Sequence, residues 1–231
     1  MISEFFNQFL YRPLLNVLVI LCLVLPGQDF GLAVILVTIA FKAFLAPLNK
    51  KMKKNQEDLM KIQPEIKRIQ KEYKDDNEQQ LEKIKSLYKE YKVNPLSSFV
   101  PLLVQFPILI ALYQVFLKGL NPADLYSFVP SSASINYSFF GIDLMTSSLG
   151  LALLAVVVYF VQIKISLKKT KQVDKKKNDI SVGFQKQMPY FFSILTFFVL
   201  VRVPAAVALY LTISSLFTMT QQYILNKNEL K

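Results

Sequence analysis

Lys42 is the residue whose type and position carry the most chemistry in this chain. It follows a largely apolar run that begins at Phe30 and precedes Ala43-Phe44-Leu45-Ala46-Pro47-Leu48, after which polar sequence begins. A charge at the centre of a membrane span costs about 2.5–3.5 kcal/mol on insertion scales, so ionisable residues there tend to mark function. The plainer alternative is that Lys42 snorkels its ammonium to the nearer headgroups. Side chains on a helix lean toward its N-terminus, however, and the charge pattern described below puts that N-terminus outside. Lys42 then leans toward the bilayer middle, where a water-filled pocket would relieve the cost. No Asp or Glu falls clearly within an apolar run, so the spans offer Lys42 no counter-ion. A membrane cation without a partner suits a site that receives an anionic visitor.

Gln105, Gln114 and Gln162 add polarity to other apolar runs, and Ser214, Thr218 and Gln221 share one helical face by their spacing. Polar side chains also hold membrane helices together, so packing is the default role for these. Other chemistries are poorly supplied. With no histidine, His-based acid–base work and the usual zinc patterns are absent. No carboxylate pair sits in a span, which leaves no acid–base constellation. A single cysteine excludes an intrachain disulfide, and Leu21 stands where a small residue precedes a lipid-modified cysteine such as Cys22 could be. The sequence therefore gives no reason to expect an enzyme or a cofactor.

The elements that must position Lys42 follow from how composition is distributed. Of 231 residues, 53% are hydrophobic, and 27 Lys and Arg face 16 Asp and Glu, for a net charge of +11. Apolar and basic residues alternate in blocks, which is the pattern of membrane spans and their loops. Basic loops beside apolar spans reflect orientation and attraction to anionic lipid, so no specific nucleic acid is expected as a partner. Runs of span length lie at 30–48, 96–117, 149–167, 189–203 and 204–225, the last two forming a tight hairpin around Pro204. Residues 5–25 are ambiguous: the clean apolar part, Leu14 to Leu25, is short for a span and reads as an interfacial helix against the outer face.

Segments 50–92 and 164–186 are rich in lysine, whereas 119–148 contains no Lys or Arg. The positive-inside rule makes the first two cytoplasmic and the third external, with the N-terminus outside and the C-terminus inside. The cytoplasmic loop between the third and fourth spans covers 168–188. Within 52–92, Leu59, Ile62, Ile66, Ile69 and Tyr73, and then Leu81, Ile84, Tyr88 and Tyr91, step by three and four. Asp75-Asp76-Asn77 supplies a turn between them. An antiparallel helical hairpin is expected, with a kink or restart at Pro64. It is either a solvated linker or a docking arm for soluble partners and incoming chains.

Several stretches resemble the YidC/Oxa/Alb family of membrane protein insertases. They are Asp29-Phe30-Gly31-Leu32-Ala33 with Lys42 and Pro47-Leu48-Asn49-Lys50; Ile62-Gln63-Pro64-Glu65-Ile66-Lys67; and Tyr88 through Leu96 leading into Pro101 through Tyr113. Val203-Pro204-Ala205-Ala206, Leu209-Tyr210 and Gln221-Gln222-Tyr223 complete the series in the family's order. The resemblance implies an all-α integral membrane fold: five transmembrane helices around a polar groove, a cytoplasmic antiparallel helical hairpin and an N-terminal interfacial helix. It implies a cytoplasmic-membrane insertase that accepts hydrophobic segments of new proteins through a cytoplasm-open groove and releases them into lipid. Lys42 would be the groove cation, Gln105 a polar wall, and Ser214 and Ser215 further groove residues. Partners would be nascent membrane proteins and lipids, with the ribosome, targeting factors and a Sec-type translocation channel as further candidates.

Lys42 stands where the family usually has Arg, Leu211 where many members have Trp, and Ser214-Ser215 where they have an Asn pair. The large external domain and long basic tail of some relatives have no counterpart in these residues. A small transporter or channel is the competing reading, since a membrane lysine can bind an anion; against it the chain shows no internal repeat, no intramembrane carboxylate for ion coupling and no glycine-broken pair of half-helices.

Overall fold

A computed structural model of the chain describes residues 2–96, 100–119, 121–130, 135–168 and 180–229. Most of the lysine-rich loop expected at 168–188 falls outside these residues. Helix α1 (Ile2–Phe6) passes through a π-helical turn at Asn7–Tyr11 into α2 (Arg12–Val24). Then come α3 (Phe30–Glu72), α4 (Asn77–Glu90) and α5 (Val100–Lys118). A small antiparallel ribbon, β1 (Ser138–Phe139) with β2 (Ile142–Asp143), precedes α6 (Leu149–Lys168), α7 (Ile180–Leu200) and α8 (Ala205–Glu229).

Among the described residues, three helical stretches have the length and composition to cross a membrane: Glu4–Val24, Phe30–Glu72 and Leu149–Ser166. Leu103–Lys118 and Tyr190–Leu200 are shorter apolar helices. Helix α8 is long, but Thr212, Ser214, Ser215, Thr218, Gln221 and Gln222 dilute its apolar character. Large apolar side chains of α5, α6 and α7 point outward, including Leu103, Val157, Phe191 and Phe198, as lipid-facing surfaces do.

Helix α3 departs from the sequence expectation. It runs 43 residues, continuous across 49–51 and Pro64 with no restart, so the span and the first arm of the hairpin are one helix of about 65 Å along its axis. Proline inside a helix removes one ladder bond and crowds the carbonyl one turn back. Two features oppose a break here. Ile62, beside Pro64, is buried against α4 in a cluster with Leu87 and Val93, flanked by Leu59, Ile66, Ile69 and Tyr88. At the hairpin's base the Asn55 side chain donates to the Asn94 carbonyl at 2.9 Å and accepts from the Asn94 N–H at 3.1 Å. The α4 stripe is also rotated from its expected face: Leu87 turns inward, while Leu81 and Tyr91 are exposed. Tyr91 instead donates to Glu65 at 3.1 Å, and that bond holds its phenol above the ordinary range.

The main core joins α2, the first part of α3, α5, α6 and the start of α8. Small residues let these helices approach: Ala33, Ala111, Ala152, Ala155, Ala205, Ala206 and Ala208 are all buried. The first N–H groups of α8 are met from the ribbon side, Ala205 donating to Thr146 at 2.8 Å and Ala206 to Leu144 at 3.0 Å. The helix that carries the fourth apolar run begins ahead of it, at Ile180, and ends at Leu200.

Helix α2 is fixed at both ends to one end of the bundle. Arg12 and Asn16 donate to the Asp124 carbonyl at 3.2 and 3.1 Å, and the Tyr126 N–H donates to Asn16 at 2.7 Å. The far end of α2 turns through Pro26–Gln28 into Asp29, which caps α3. Residues 122–126 follow the C-terminus of α5, while Phe30 packs edge-on to Phe116 near that same C-terminus. Cys22 is fully buried in this packing.

Candidate functional site

Three helices converge on Lys42. Its position on α3 faces α5 and α8, and its Nζ donates to Gln105 Oε1 at 3.3 Å. Both side chains are half-buried. The other end of the amide is engaged too, because Gln105 Nε2 donates to the Tyr210 hydroxyl. Ser214 lies one turn along α8 from Tyr210. Lys42, Gln105 and Tyr210 therefore form one polar chain across α3, α5 and α8, with Ser214 one turn beyond it. Tyr210 is 3% exposed and Ser214 5%. Ser215 is also buried, one position further round α8.

Among the described residues, no carboxylate lies within ion-pair distance of Lys42. Ion pairs in the hairpin include Lys53–Glu57, Lys61–Asp58 and Arg68–Glu72. Lysine brings three donors and no acceptor, so the bond to Gln105 leaves capacity for a second acceptor.

Further polar contacts extend toward the hairpin. Gln221 donates to the Ala46 carbonyl at 3.0 Å and accepts from Asn49 at 3.5 Å. Thr218 folds back on the Ser214 carbonyl at 2.8 Å. The face of α8 that carries Ser214, Thr218 and Gln221 is thus turned toward α3. On the neighbouring face Gln222 and Ser166 bond each other at 2.8 and 3.2 Å, joining α8 to α6. Those two residues, with Lys53, Gln56, Glu57, Met60 and Ile165, line a cavity of about 70 Å³. Among the described residues no cluster of His, Cys, Asp or Glu could hold a metal ion.

Of the four residues named from sequence the structure joins Lys42 and Gln105 directly, and Ser214 lies one turn of α8 from Tyr210 at the end of that chain. Ser215 is adjacent, outside the bonded chain described. Gln114 and Gln162 are half-buried on α5 and α6 and take no part in it. Tyr210 is the member that reasoning from residue types alone missed, since a tyrosine in an apolar run reads as packing. Its spacing of four from Ser214 was the available signal.

Known proteins share this architecture. The family model described as the 60Kd inner membrane protein matches residues 23–231. A protein of Fusobacterium nucleatum named membrane protein insertase YidC is 34% identical over 199 residues, covering 86% of this chain and 87% of its own length. One of the same name from Clostridium tetani is 33% identical over 210 residues, covering 89% of this chain and 86% of its own. A crystal structure described as an active YidC insertase with its first transmembrane domain resolved superposes with a TM-score of 0.58 at 26% identity. That match covers 85% of this chain and 42% of the solved one.

Proposed function

The chain belongs to the 60Kd inner membrane protein family, which includes the YidC membrane protein insertases, and from that premise we propose how it handles its substrates. It is a multi-pass membrane protein insertase and not an enzyme. Five spans, from the first part of α3 and from α5, α6, α7 and α8, enclose a polar groove walled by α3, α5 and α8. The groove opens to the cytoplasm and to lipid and is closed on the outer side. Lys42 is its cation, Gln105 a polar wall, and Ser214 and Ser215 the polar face of α8.

An arriving membrane protein places the polar, often acidic, segment that must cross in this groove. Its apolar segment slides out between the helices into lipid. The observation that carries this reading is the state of Lys42: its ammonium meets a neutral amide at 3.3 Å, and a substrate carboxylate could still reach it. Two unit charges 4 Å apart at an effective dielectric of 20 attract by about 4 kcal/mol. That matches the roughly 2.5–3.5 kcal/mol cost of an Asp at the membrane centre. The apolar segment then supplies the net driving force by leaving water.

The orientation is N-terminus outside and C-terminus inside, in the cytoplasmic membrane. Lysine enrichment in 50–92 supports it, and so does α2, whose two ends are tied to the same end of the bundle. Glu4–Val24 accordingly lies across the outer face despite a length that could span. The hairpin of α3 and α4 is the arm that meets ribosomes, targeting factors or a Sec-type channel.

The test is insertion of a single-span substrate with a short acidic outer tail, in cells depleted of their own insertase. Lys42→Arg should retain insertion, whereas Lys42→Ala and Lys42→Glu should lose at least about tenfold, the factor for 1.4 kcal/mol. Full activity of Lys42→Ala at matched expression would remove the groove cation from the mechanism.

A further inference from the structure

Phe140 holds a conformation that its residue type resists, and the chain gains little packing in return. Phe139 pairs with Ile142 across the ribbon, so Phe140 and Gly141 are the two central residues of a two-residue hairpin loop. Both have positive φ, 51° being exceeded only by the glycine: +49° at Phe140 and +78° at Gly141, the pattern of a type I′ turn. Glycine takes such angles freely and asparagine or aspartate at small cost, whereas a bulky side chain at positive φ is an outlier. Phe140 is nevertheless 91% exposed, with an edge contact to Phe139 at a centroid distance of 4.7 Å. A ring held in a strained turn and left unburied by its own chain suits a use outside that chain.

We propose that Phe140 is a membrane-surface anchor, whose ring enters the headgroup–acyl boundary of the outer leaflet and holds the ribbon against the outer ends of α3 and α8. The place of the ribbon fits that partner. Its flanks are hydrogen-bonded to the first residues of two spans: Asn136 accepts from the Phe30 N–H, and Leu144 and Thr146 accept from Ala206 and Ala205. The Phe139 ring lies against Gly31 in the first turn of α3, and α6 starts at Leu149, shortly beyond β2. The Cα of Phe140 is one step of about 3.8 Å from that of Phe139, so the tip lies close to the level at which the spans begin. Interfacial segments bury apolar groups about 5–10 Å into that boundary. Asp143 is the only charge between 135 and 146, and its carboxylate accepts from the Met145 N–H at 2.9 Å. The inference rests on the membrane reading above, with the ribbon on the outer side, and does not depend on the groove cation.

The chain has no tryptophan, so Phe140→Trp places a single fluorescent reporter at the tip and keeps an aromatic ring there. The purified variant is measured in phosphatidylcholine–phosphatidylglycerol vesicles, with and without bromine on the upper acyl chain. Insertion of the tip gives blue-shifted emission, a loss of intensity in the brominated vesicles and protection from aqueous iodide. Red emission that iodide quenches and bromine does not would overturn the inference. Blue emission insensitive to bromine would overturn it too, by placing the ring against protein. A second variant separates anchoring from turn formation. Asparagine suits a type I′ turn better than phenylalanine does, so a ribbon held by its turn alone should exchange the amides of 137–144 more slowly in Phe140→Asn. A ribbon held by the leaflet should exchange them faster in vesicles, by about tenfold for a loss of 1.4 kcal/mol. Slower or unchanged exchange would overturn the inference, while the Lys42 series reports separately on the groove.

Discussion

The two ends of α3 belong to one helix and are held by opposite means. At the Phe30 end the contacts come from distant parts of the chain. Phe30 donates its N–H to Asn136 at 3.0 Å, and Asn136 donates to Gln28 at 3.1 Å. The Phe30 ring packs edge-on to Phe116 and Tyr137, with centroids 5.6 and 5.1 Å away. Gly31 lies so close to the Phe139 ring that a Cβ there would sit 2.3 Å from it. At the Glu72 end α3 packs on its sequence neighbour α4, around a small cluster of three buried side chains. A segment with few buried apolar contacts opens at lower free energy than the body it extends from. The difference sets a closely packed end against an arm whose opening should cost less free energy.

The largest effect expected from testing that contrast is at Ile62, which is 1% exposed at the centre of the hairpin cluster. Ile62→Ala should cost about 2–5 kcal/mol, a large share of what so small a cluster can supply. Hydrogen exchange in α4 and along residues 55–73 should accelerate, while amides of α2 and α5 keep their protection. Acceleration throughout the bundle would mean that arm and body unfold as one unit. At the closely packed end Gly31→Ala should cost about 1–3 kcal/mol through overpacking against Phe139. The thermal unfolding temperature should drop with α4 exchange unchanged. Because alanine favours a helix over glycine by up to about 1 kcal/mol, an unchanged or raised temperature would show that Phe139 swings aside and that this end is looser than drawn.

Much of the arm was legible in the sequence, and little of the closely packed end. The stripe Leu59, Ile62, Ile66 and Ile69 follows from helical periodicity, which is a local property. Continuity through Pro64 was not legible, because proline's local penalty is offset by the Asn55–Asn94 clamp and by α4, neither visible in a window around residue 64. Lys42, Gln105 and Ser214 stood out because polar groups in apolar runs are conspicuous. Tyr210 did not, since its role depends on Gln105 lying opposite, on another helix. The pairing of Asp29 with Asn136 depends on a loop with no periodicity at all.

The smallest expected effect gives the sharpest contrast, because the same chemistry occurs once in each region. Asp29 caps α3 by accepting from the Leu32 N–H at 2.9 Å, and Asp76 caps α4 by accepting from the Gln79 N–H at 3.0 Å. Each carboxylate also lies at the positive end of a helix dipole. Replacing either by alanine should cost about 0.5–2 kcal/mol. The two losses should nevertheless be read in different places. Asp76→Ala frees the start of a helix that is anchored only to the arm, so exchange should rise in residues 74–90 and the unfolding temperature of the bundle should hold. Asp29→Ala loosens the first turn of a helix on which Asn136, Phe139 and α2 all depend, so the unfolding temperature should fall with arm exchange unaltered. If Asp76→Ala lowers the unfolding temperature as much as Asp29→Ala does, the arm contributes to the stability of the body. The rigid part of α3 would then extend beyond Asn49 toward the tip of the hairpin.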